Sequence, residues 1–242
     1  MKMRAADLLF PRRCPVCDRP VLPRGGLICR ACADSFVPVE EPVCLRCGKP
    51  VPEGAALCRD CRIRPHWYER GCSVFVYRSI SASLYRFKYE GRREYADYYA
   101  ERMAGRLESV LSQRGAGAFP VPDALVPVPV SARRLRTRGY NQAALLAERL
   151  SEKCGIPVLA DVLRRDTDTA AMRLLGAAQR YNNLKRTFHA YGNGVHLKSI
   201  MLIDDMYTTG ATVNACAEEL LRAGAERVTF MTLAIGEDTN AE

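Results

Sequence analysis

Four Cys-x-x-Cys pairs in the first quarter of the chain constrain its fold more than any other sequence feature. The pairs are separated by 11, 11 and 10 residues, and they contain eight of the eleven cysteines. A Cys-x-x-Cys turn points two sulfurs at one ion, and two such turns complete a tetrahedral site of four thiolates. The spacing therefore predicts two structural Zn²⁺ sites, with the ligands Cys14, Cys17, Cys29, Cys32, Cys44, Cys47, Cys58 and Cys61.

The cysteine region is an internal duplication, which we assign to residues 1–65. The segments CPVCDRPVLPRGGLICRAC and CLRCGKPVPEGAALCRDC each contain a knuckle, a Pro-Val, a glycine-containing turn and a second knuckle. This arrangement resembles a double zinc ribbon. It predicts sequential pairing, with one ion held by residues 14–32 and the other by 44–61, while a cross-braced pairing stays open. A redox role is disfavoured because no thioredoxin-like βαβ pattern surrounds the pairs.

The formal net charge of +9 points to polyanionic partners, either phosphorylated small molecules or nucleic acid. Within residues 1–65, 12 Lys/Arg and 7 Asp/Glu give +5 before metal binding. Eight thiolates and two Zn²⁺ ions add −8 and +4, which leaves the module near +1. Charge alone is therefore a weak argument for nucleic acid binding by this module.

No apolar run approaches the ~20 residues of a membrane span, and the N-terminal apolar stretch is too short for a signal peptide. We therefore expect a cytoplasmic protein that does not insert into a membrane. A high cysteine count in a cytosolic chain favours metal binding over disulfides. The three cysteines outside the pairs, Cys72, Cys154 and Cys216, are predicted to be packing residues.

Residues 66–242 alternate strand and helix patterns, which predicts an α/β domain with a parallel sheet flanked by helices. Apolar or β-branched runs indicate strands at 72–77, 123–131, 199–203 and 227–235, with a further candidate at 157–163. Amphipathic or capped patterns indicate helices at 94–111, 143–155 and 212–223. Two arginine-rich stretches are predicted to be irregular, 133–142 as a basic loop and 164–187 as a mobile segment.

The stretch IMLIDDMYTTGAT, residues 200–212, places two aspartates between a buried strand and a helix. Asp204 and Asp205 emerge at the carboxyl end of the strand, where open α/β sheets bind ligands. The helix N-terminus favours an anion, Gly210 lets the backbone approach it, and threonine hydroxyls add donors. Carboxylates repel phosphate, so the doublet suits neutral hydroxyls or a divalent cation. The combination predicts a ribose phosphate with a metal ion; the alternative is a plain turn whose acids cap the helix.

The same thirteen residues resemble the phosphoribosyl pyrophosphate (PRPP) motif of type I phosphoribosyltransferases. The resemblance implies that Asp204 and Asp205 hold the ribose 2′- and 3′-hydroxyls and that Mg²⁺ bridges pyrophosphate and ribose oxygens. It also implies a 5′-phosphate site formed by Tyr207, Thr208, Thr209, Gly210, Ala211 and Thr212. The blocks LLFPRRCPVC, RFKYEGRRE, VPVPVSARRLRTRGYNQAALLAERL and QRYNNLKRTF, in this order, resemble the ComF (competence protein F) family, which joins a zinc ribbon to a phosphoribosyltransferase domain.

Departure of pyrophosphate from PRPP requires cations on the leaving group, because that group carries several negative charges. The basic loop after the Val-Pro-Val-Pro strand suits this role, and we predict pyrophosphate contacts from Val128, Pro129, Arg133 and Arg134. Catalytic roles are assigned to Asp204, Asp205, Arg138 and Arg180, the last in the segment predicted to close over the site. The alternative for the arginines is a solvated loop or a surface that follows DNA.

Two further residues keep two interpretations each. Lys88 either approaches the ribose 5′ region or is exposed beside a helix, and Asn141 either caps a helix or reaches into the site. Met172 stands where the ComF family usually has a glutamine, and a methionine cannot replace the hydrogen bonds of the amide. Met172 therefore favours ligand binding without turnover.

Three functions stay open from the sequence. The first is an enzyme that transfers the phosphoribosyl group of PRPP to an unknown acceptor, and the second is a PRPP- or nucleotide-binding protein without turnover. The third is a competence factor that handles single-stranded DNA, alone or with DNA-uptake proteins. Few aromatic residues interleave with the arginines of 131–138, which is poor for base stacking. The oligomeric state also stays open, with a homodimer as one option.

Overall fold

The computed structural model of the protein describes residues 11–21, 25–113, 115, 118–165, 187–190 and 199–236. A parallel sheet in the order β1-β6-β5-β2 forms its centre. The strands are β1 (Arg70–Val76), β2 (Ala124–Pro127), β5 (Ser199–Tyr207) and β6 (Arg227–Ile235). A short antiparallel pair, β3 (Leu163–Arg165) and β4 (Phe188–Ala190), lies apart from this sheet.

Helices cover both faces of the sheet. The α-helices are α1 (Arg59–Ile63), α2 (Tyr77–Tyr89), α3 (Tyr95–Ser112), α4 (Ala132–Arg138), α5 (Gln142–Cys154) and α6 (Ala211–Arg222). A 3-10 turn, Arg30–Cys32, lies in the described part of the zinc module. Among the helices in the described part of the chain, none combines the length and the apolar character that crossing a bilayer requires.

Alternate residues of β5 divide the core into two clusters, because successive side chains of a strand point to opposite faces. Met201 and Ile203 pack in one cluster with residues of α2, α3 and α5. Ile200 and Leu202 pack in the other cluster, which contains buried residues of α6 and three cysteines of the second zinc group. The prediction of a parallel sheet flanked by helices is therefore confirmed.

The link between the two zinc ribbons covers the free edge of β1. Pro38 forms an antiparallel bridge with Phe75, the Val39 N–H donates to Val74 O at 2.9 Å, and the Val76 N–H donates to Val37 O at 3.0 Å. This pairing satisfies backbone groups that an exposed edge strand would present to other chains. The two ribbons consequently lie on opposite faces of the sheet. The division of the chain at residue 65 stays a prediction.

Several predicted elements differ from those in the structure. The basic loop at 133–142 is wrong, because residues 132–138 form helix α4. The Ser131 hydroxyl accepts the Arg134 N–H at 3.4 Å at the start of α4, and Gly139, with φ 74°, ends it. The strand at 157–163 is also wrong, since residues 157–162 form only an isolated bridge, between Val158 and Leu125, and Leu163 begins β3.

The strand predicted at 123–131 ends at Pro127, because Pro127 and Pro129 lack the N–H groups that would continue the ladder. The strand predicted at 199–203 continues to Tyr207, so both aspartates belong to β5 itself. Helix α2 is an element that the sequence reading missed. Its buried residues Ile80, Leu84 and Phe87 have the three- and four-residue spacing that could have revealed it. Residues 166–186 of the predicted mobile segment lie outside the described ranges.

Candidate functional site

The cysteine pairs form two groups, and each group is able to hold one tetrahedral ion. Within each group the sulfur atoms all lie within 4.8 Å of one another. The distance from Cys17 Sγ to Cys29 Sγ is 3.9 Å, and that from Cys47 Sγ to Cys58 Sγ is 3.6 Å. Four sulfurs at ~2.3 Å from a tetrahedral Zn²⁺ are about 3.8 Å apart, so the donor set fits zinc. The sequential pairing is confirmed, and the cross-braced alternative is wrong.

The two groups differ in exposure. In the first group Cys17 is exposed and Cys29 and Cys32 are half-buried, whereas Cys44, Cys47 and Cys58 of the second group are buried. The first ribbon is bound to α2 and α3 by polar contacts. Asp18, for example, accepts hydrogen bonds from the Tyr95 hydroxyl at 2.6 Å and from Arg92 at 2.9 Å.

The acidic doublet stands at the carboxyl end of β5, between β6 and β2. Both carboxylates are partly buried, and Asp204 Oδ1 accepts the backbone N–H of Asp205 at 2.8 Å. Burial, together with the adjacent charge of Asp205, raises the pKa of Asp204 to about 7, although Lys88 and Arg134 lower it in part. The doublet therefore contains one carboxylate whose charge is poorly compensated in the ligand-free protein.

Lys88, from helix α2, forms an ion pair with the acidic doublet. Its Nζ lies 2.8 Å from Asp205 Oδ1, and the two side chains are only 16% and 13% exposed. The interpretation of Lys88 as an exposed residue is therefore wrong. Helix α2 brings this lysine to the end of β5, where its ammonium group is the counter-ion of Asp205.

The loop after the doublet has the features of an anion site. Thr208 and Thr209 are exposed, and Gly210, the N-cap residue of α6, has φ 75°, a backbone conformation that favours glycine. A cavity of about 40 Å³ is lined by residues 206–213. Since a water molecule needs roughly 10–15 Å³ by this measure, the cavity suits a group of phosphate size. The first N–H groups of α6 have no partner within their helix and point toward this end.

Tyr207 contributes to the loop from beneath. Its ring is buried, lies parallel to the Phe230 ring with centroids 4.8 Å apart, and its hydroxyl is 2.7 Å from the Tyr68 hydroxyl. The Tyr207 side chain therefore lies buried beneath the loop. Tyr68 is a residue that sequence reasoning missed, and no local pattern in the sequence could have revealed it.

The predicted pyrophosphate residues follow β2 on the other side of the doublet. The Val128 N–H donates to Ile203 O at 2.9 Å, and Val128 O accepts a hydrogen bond from Asn141 Nδ2 at 3.1 Å. Asn141 Oδ1 also accepts the Ala143 N–H at 3.0 Å, so Asn141 is a helix cap. Pro129 is half-buried beside this fixed backbone.

The arginines of α4 lie at different distances from the doublet. Arg133 and Arg134 are exposed, and the charge of Arg134 reaches Asp204, whose pKa it lowers in part. Arg138 instead donates to Gln142 Oε1 at 2.8 Å and to the Tyr89 hydroxyl at 3.1 Å. Arg180 and Met172 lie outside the described residues, so their predicted roles stay predictions.

Comparison with known proteins shows which family has this arrangement. A family model for the double zinc ribbon domain matches residues 5–62. The chain is 33% identical over 224 residues to the DNA utilization protein YhgH of Salmonella typhi, covering 91% of this chain and 96% of that relative. It is 30% identical over 198 residues to the competence protein F of Haemophilus influenzae, covering 80% of this chain and 84% of that relative. The chain belongs to the ComF family.

Solved structures resemble this ComF-family chain only in part. A glutamine PRPP amidotransferase from B. subtilis, complexed with ADP and GMP, gives a TM-score of 0.34 at 17% identity. That match covers 56% of this chain and 25% of the amidotransferase. The family assignment rests on the two relatives in sequence.

We expect the ComF-family chain to release zinc in two steps, because chelators and thiol reagents reach the exposed Cys17 before the buried Cys44 and Cys47. Titration with a mercurial in the presence of a zinc-sensitive dye should release one equivalent early and a second late. The variant Cys17→Ser should remove the early step alone. A single step, or loss of the late step in Cys17→Ser, would contradict the expected order.

We expect Asp204→Asn to stabilise the ligand-free protein at pH 8. The native state holds the Asp204 proton up to about pH 7, whereas an unfolded aspartate releases it near pH 4, so wild-type stability falls as pH rises through that window. Asparagine does not titrate, so the variant avoids this loss of stability and keeps the Oδ1 acceptor for the Asp205 N–H. The gain in unfolding free energy should be about 4 kcal/mol at pH 8, since the pKa rises from about 4 to about 7 and each pH unit is worth ~1.4 kcal/mol, and it should vanish near pH 4.

Thermal denaturation across this pH range measures the effect. Asp123→Asn is the matched control, because Asp123 accepts the Ser199 N–H at the opposite end of β5. An Asp204→Asn variant that is no more stable than wild type at pH 8 would contradict the assignment.

Proposed function

We propose that this ComF-family chain binds PRPP with Mg²⁺ at the end of β5 and transfers the phosphoribosyl group to an acceptor. One observation carries the proposal. Two adjacent, partly buried carboxylates, Asp204 and Asp205, stand directly before an anion-binding loop and the N-terminus of α6, and burial raises the pKa of Asp204. A ligand that satisfies both must combine a phosphate with hydroxyls or a cation, and a ribose 5-phosphate does so within a few ångströms.

The 5′-phosphate is assigned to the cavity lined by residues 206–213. Backbone N–H groups at the start of α6 donate to its oxygens, and the partial positive charge of the helix end favours the anion. Thr208, Thr209 and Thr212 supply hydroxyl donors at the rim. Because Gly210 has no side chain, the phosphate is able to approach the backbone closely.

The ribose diol is assigned to Asp204 and Asp205. Two hydroxyl donors stabilise the ionised form of a carboxylate that burial otherwise disfavours. The same oxygen atoms suit Mg²⁺, which prefers carboxylate and phosphate ligands. When bound, Mg²⁺ neutralises negative charge on the pyrophosphate and lowers the barrier to its departure.

The leaving pyrophosphate is assigned to the opposite side of the doublet. Lys88 lies at 2.8 Å from Asp205, and Arg133 and Arg134 extend from the exposed face of α4. The backbone at Val128 and Pro129, held by Asn141, forms the floor beside them. These cations stabilise charge that develops on the leaving group, and fixed positive groups are effective because they need little reorganisation during the reaction.

Calorimetry with PRPP and Mg²⁺ tests the proposal. Wild-type protein should bind one PRPP per chain, and Asp205→Asn should weaken binding about tenfold or more, because it loses charge-assisted hydrogen bonds. Single-turnover release of pyrophosphate, assayed with a panel of bases and amines, then separates an enzyme from a protein that only binds PRPP.

The control for this experiment is Asp97→Asn. Asp97 also forms ion pairs, with Arg12 at 2.7 Å and Arg149 at 3.2 Å, but it lies on α3 away from the doublet. It should bind PRPP as wild type does. The proposal fails if the wild-type protein does not bind PRPP, or if the two variants bind it equally well.

A second candidate function is the handling of single-stranded DNA, and an exposed patch of aromatic and basic residues favours it. Tyr85 and Tyr89 are 58% and 52% exposed, and their ring centroids are 5.1 Å apart. The Arg138 guanidinium lies 5.0 Å from the Tyr89 ring centre. The aromatics that the arginine stretch lacks in sequence therefore come from α2. Exposed rings beside arginines are the features that bind successive bases and phosphates.

Anisotropy with a labelled single-stranded oligonucleotide tests this second candidate. Replacing Tyr85 and Tyr89 together by alanine should weaken binding about tenfold or more through lost stacking, with an unchanged salt slope. Replacing Arg134 and Arg136 by glutamine should instead reduce the salt slope by roughly 0.7 per charge. Tyr77→Ala, at the other end of α2, is the matched control. Equal affinity of all variants would exclude this patch as the DNA site.

A further inference from the structure

The anion-binding loop rests directly on the side chain of Tyr207. A Cβ atom built on Gly210 would lie 2.8 Å from the Tyr207 Cζ atom, and closer still to the hydroxyl, so nothing but glycine fits there. Gly210 is also the N-cap residue of α6, and its carbonyl accepts the Asn214 N–H at 2.8 Å. The position of the Tyr207 phenol therefore sets the position of the helix N-terminus.

Tyr207 is held in turn by Tyr68. Their hydroxyls are 2.7 Å apart and both side chains are buried, so the two hydroxyls form a buried hydrogen bond with each other. Phe230 fixes both rings, stacking on Tyr207 and meeting the Tyr68 ring edge-on at 4.9 Å. Burial raises the pKa of both phenols well above the ordinary value, which keeps both hydroxyls protonated.

Tyr68 is fixed by the second zinc ribbon. Arg46, between the two cysteines of a knuckle, donates from Nη1 to Tyr68 O at 3.1 Å. Tyr68 shares a buried cluster with Cys44, Cys47 and Cys58, and its ring stacks on His66 at 4.7 Å. Trp67, the residue before Tyr68, also contacts α6, because its N–H donates to Asn214 Oδ1 at 2.6 Å.

The knuckle has little freedom to move on the sheet. A Cβ on Gly48 would lie 2.7 Å from Gly71 O, so the turn after Cys47 contacts the first residues of β1 without a gap. Arg70 Nε also donates to Leu45 O at 3.2 Å. A displacement of the Cys44–Cys47 turn therefore also moves the segment between the second zinc ribbon and β1, which carries Tyr68.

We infer that Tyr68 is a positioning residue for the anion-binding loop, and that the second zinc group, through Tyr68 and Tyr207, holds that loop in its binding conformation. This inference rests on the proposed function in one respect, the assignment of the loop as a phosphate site. The first zinc group has a different role, because its ribbon contacts α2 and α3 on the other face of the sheet. Pro15 O accepts hydrogen bonds from Arg86, at 3.0 Å, and from Ser83 there.

The central experiment compares Tyr68→Phe with Tyr99→Phe. Tyr99 is an equally buried tyrosine whose hydroxyl is 2.6 Å from the Ser83 hydroxyl, so both variants lose one buried hydroxyl–hydroxyl hydrogen bond. Each should lower the melting temperature by a similar few degrees and retain two zinc ions. Tyr68→Phe alone should speed amide exchange at residues 208–213 about tenfold and weaken PRPP binding about tenfold.

The outcomes separate this inference from the proposed function. If wild-type protein does not bind PRPP, the proposed function fails, and amide exchange in the ligand-free protein still decides the inference. If wild type binds PRPP but Tyr68→Phe shows unchanged exchange and unchanged affinity, the inference is overturned and the proposed function stands. Equal loosening of residues 208–213 in Tyr99→Phe also overturns it, because the effect would then be global.

Stepwise zinc removal provides the second arm, with the wild-type chain. Protection of residues 208–213 should survive the loss of the first, more exposed equivalent and disappear with the second. Peptides from α3 and α5 serve as internal controls for global unfolding. Loss of loop protection together with the first equivalent would refute a specific role of the second group.

Discussion

The position of strand β5 between two parallel neighbours determines what this chain is able to do. Its first five residues are buried and paired with β6 on one side and β2 on the other, which leaves no freedom of register. A register slip of one residue would move every side chain to the wrong face. Asp204 and Asp205 must therefore emerge where the sheet ends, with the helix α6 starting a few residues later. The two carboxylates are neighbours in the sequence, and backbone pairing fixes both at the edge of the sheet where a ligand is able to reach them.

The zinc module is part of the same construction. Residues 37–39 complete the edge of β1, and the ribbons before and after them pack on opposite faces. Metal–thiolate groups supply rigidity to a segment that has few large apolar residues of its own. The second zinc group shares a buried cluster with Tyr68, Tyr207 and residues of α6. The zinc module therefore packs directly against residues that form the candidate site.

The sequence was informative wherever the chemistry is local. The Cys-x-x-Cys spacing gave both metal groups, and the apolar runs gave β5 and β6, because each depends on residues a few positions apart. It failed where a contact depends on the fold. Lys88 reaches Asp205 across more than a hundred residues, and Tyr68 reaches Tyr207 across a separation of 139. Helix α4 was missed because arginines obscure its period, although Ser131 and Gly139 mark its ends.

The ion pair of Lys88 with Asp205 divides the doublet into two unlike halves. Asp205 has the Lys88 ammonium group at 2.8 Å, whereas Asp204 has no counter-ion as close among the described residues and holds a proton more readily. Under the proposed function, a divalent cation would compete with the Lys88 ammonium group for Asp205, and the displaced ammonium group would be free to turn toward the phosphate oxygens of the ligand. In the ligand-free protein, this lysine and the raised pKa of Asp204 keep the two adjacent carboxylates from both being charged without a counter-ion.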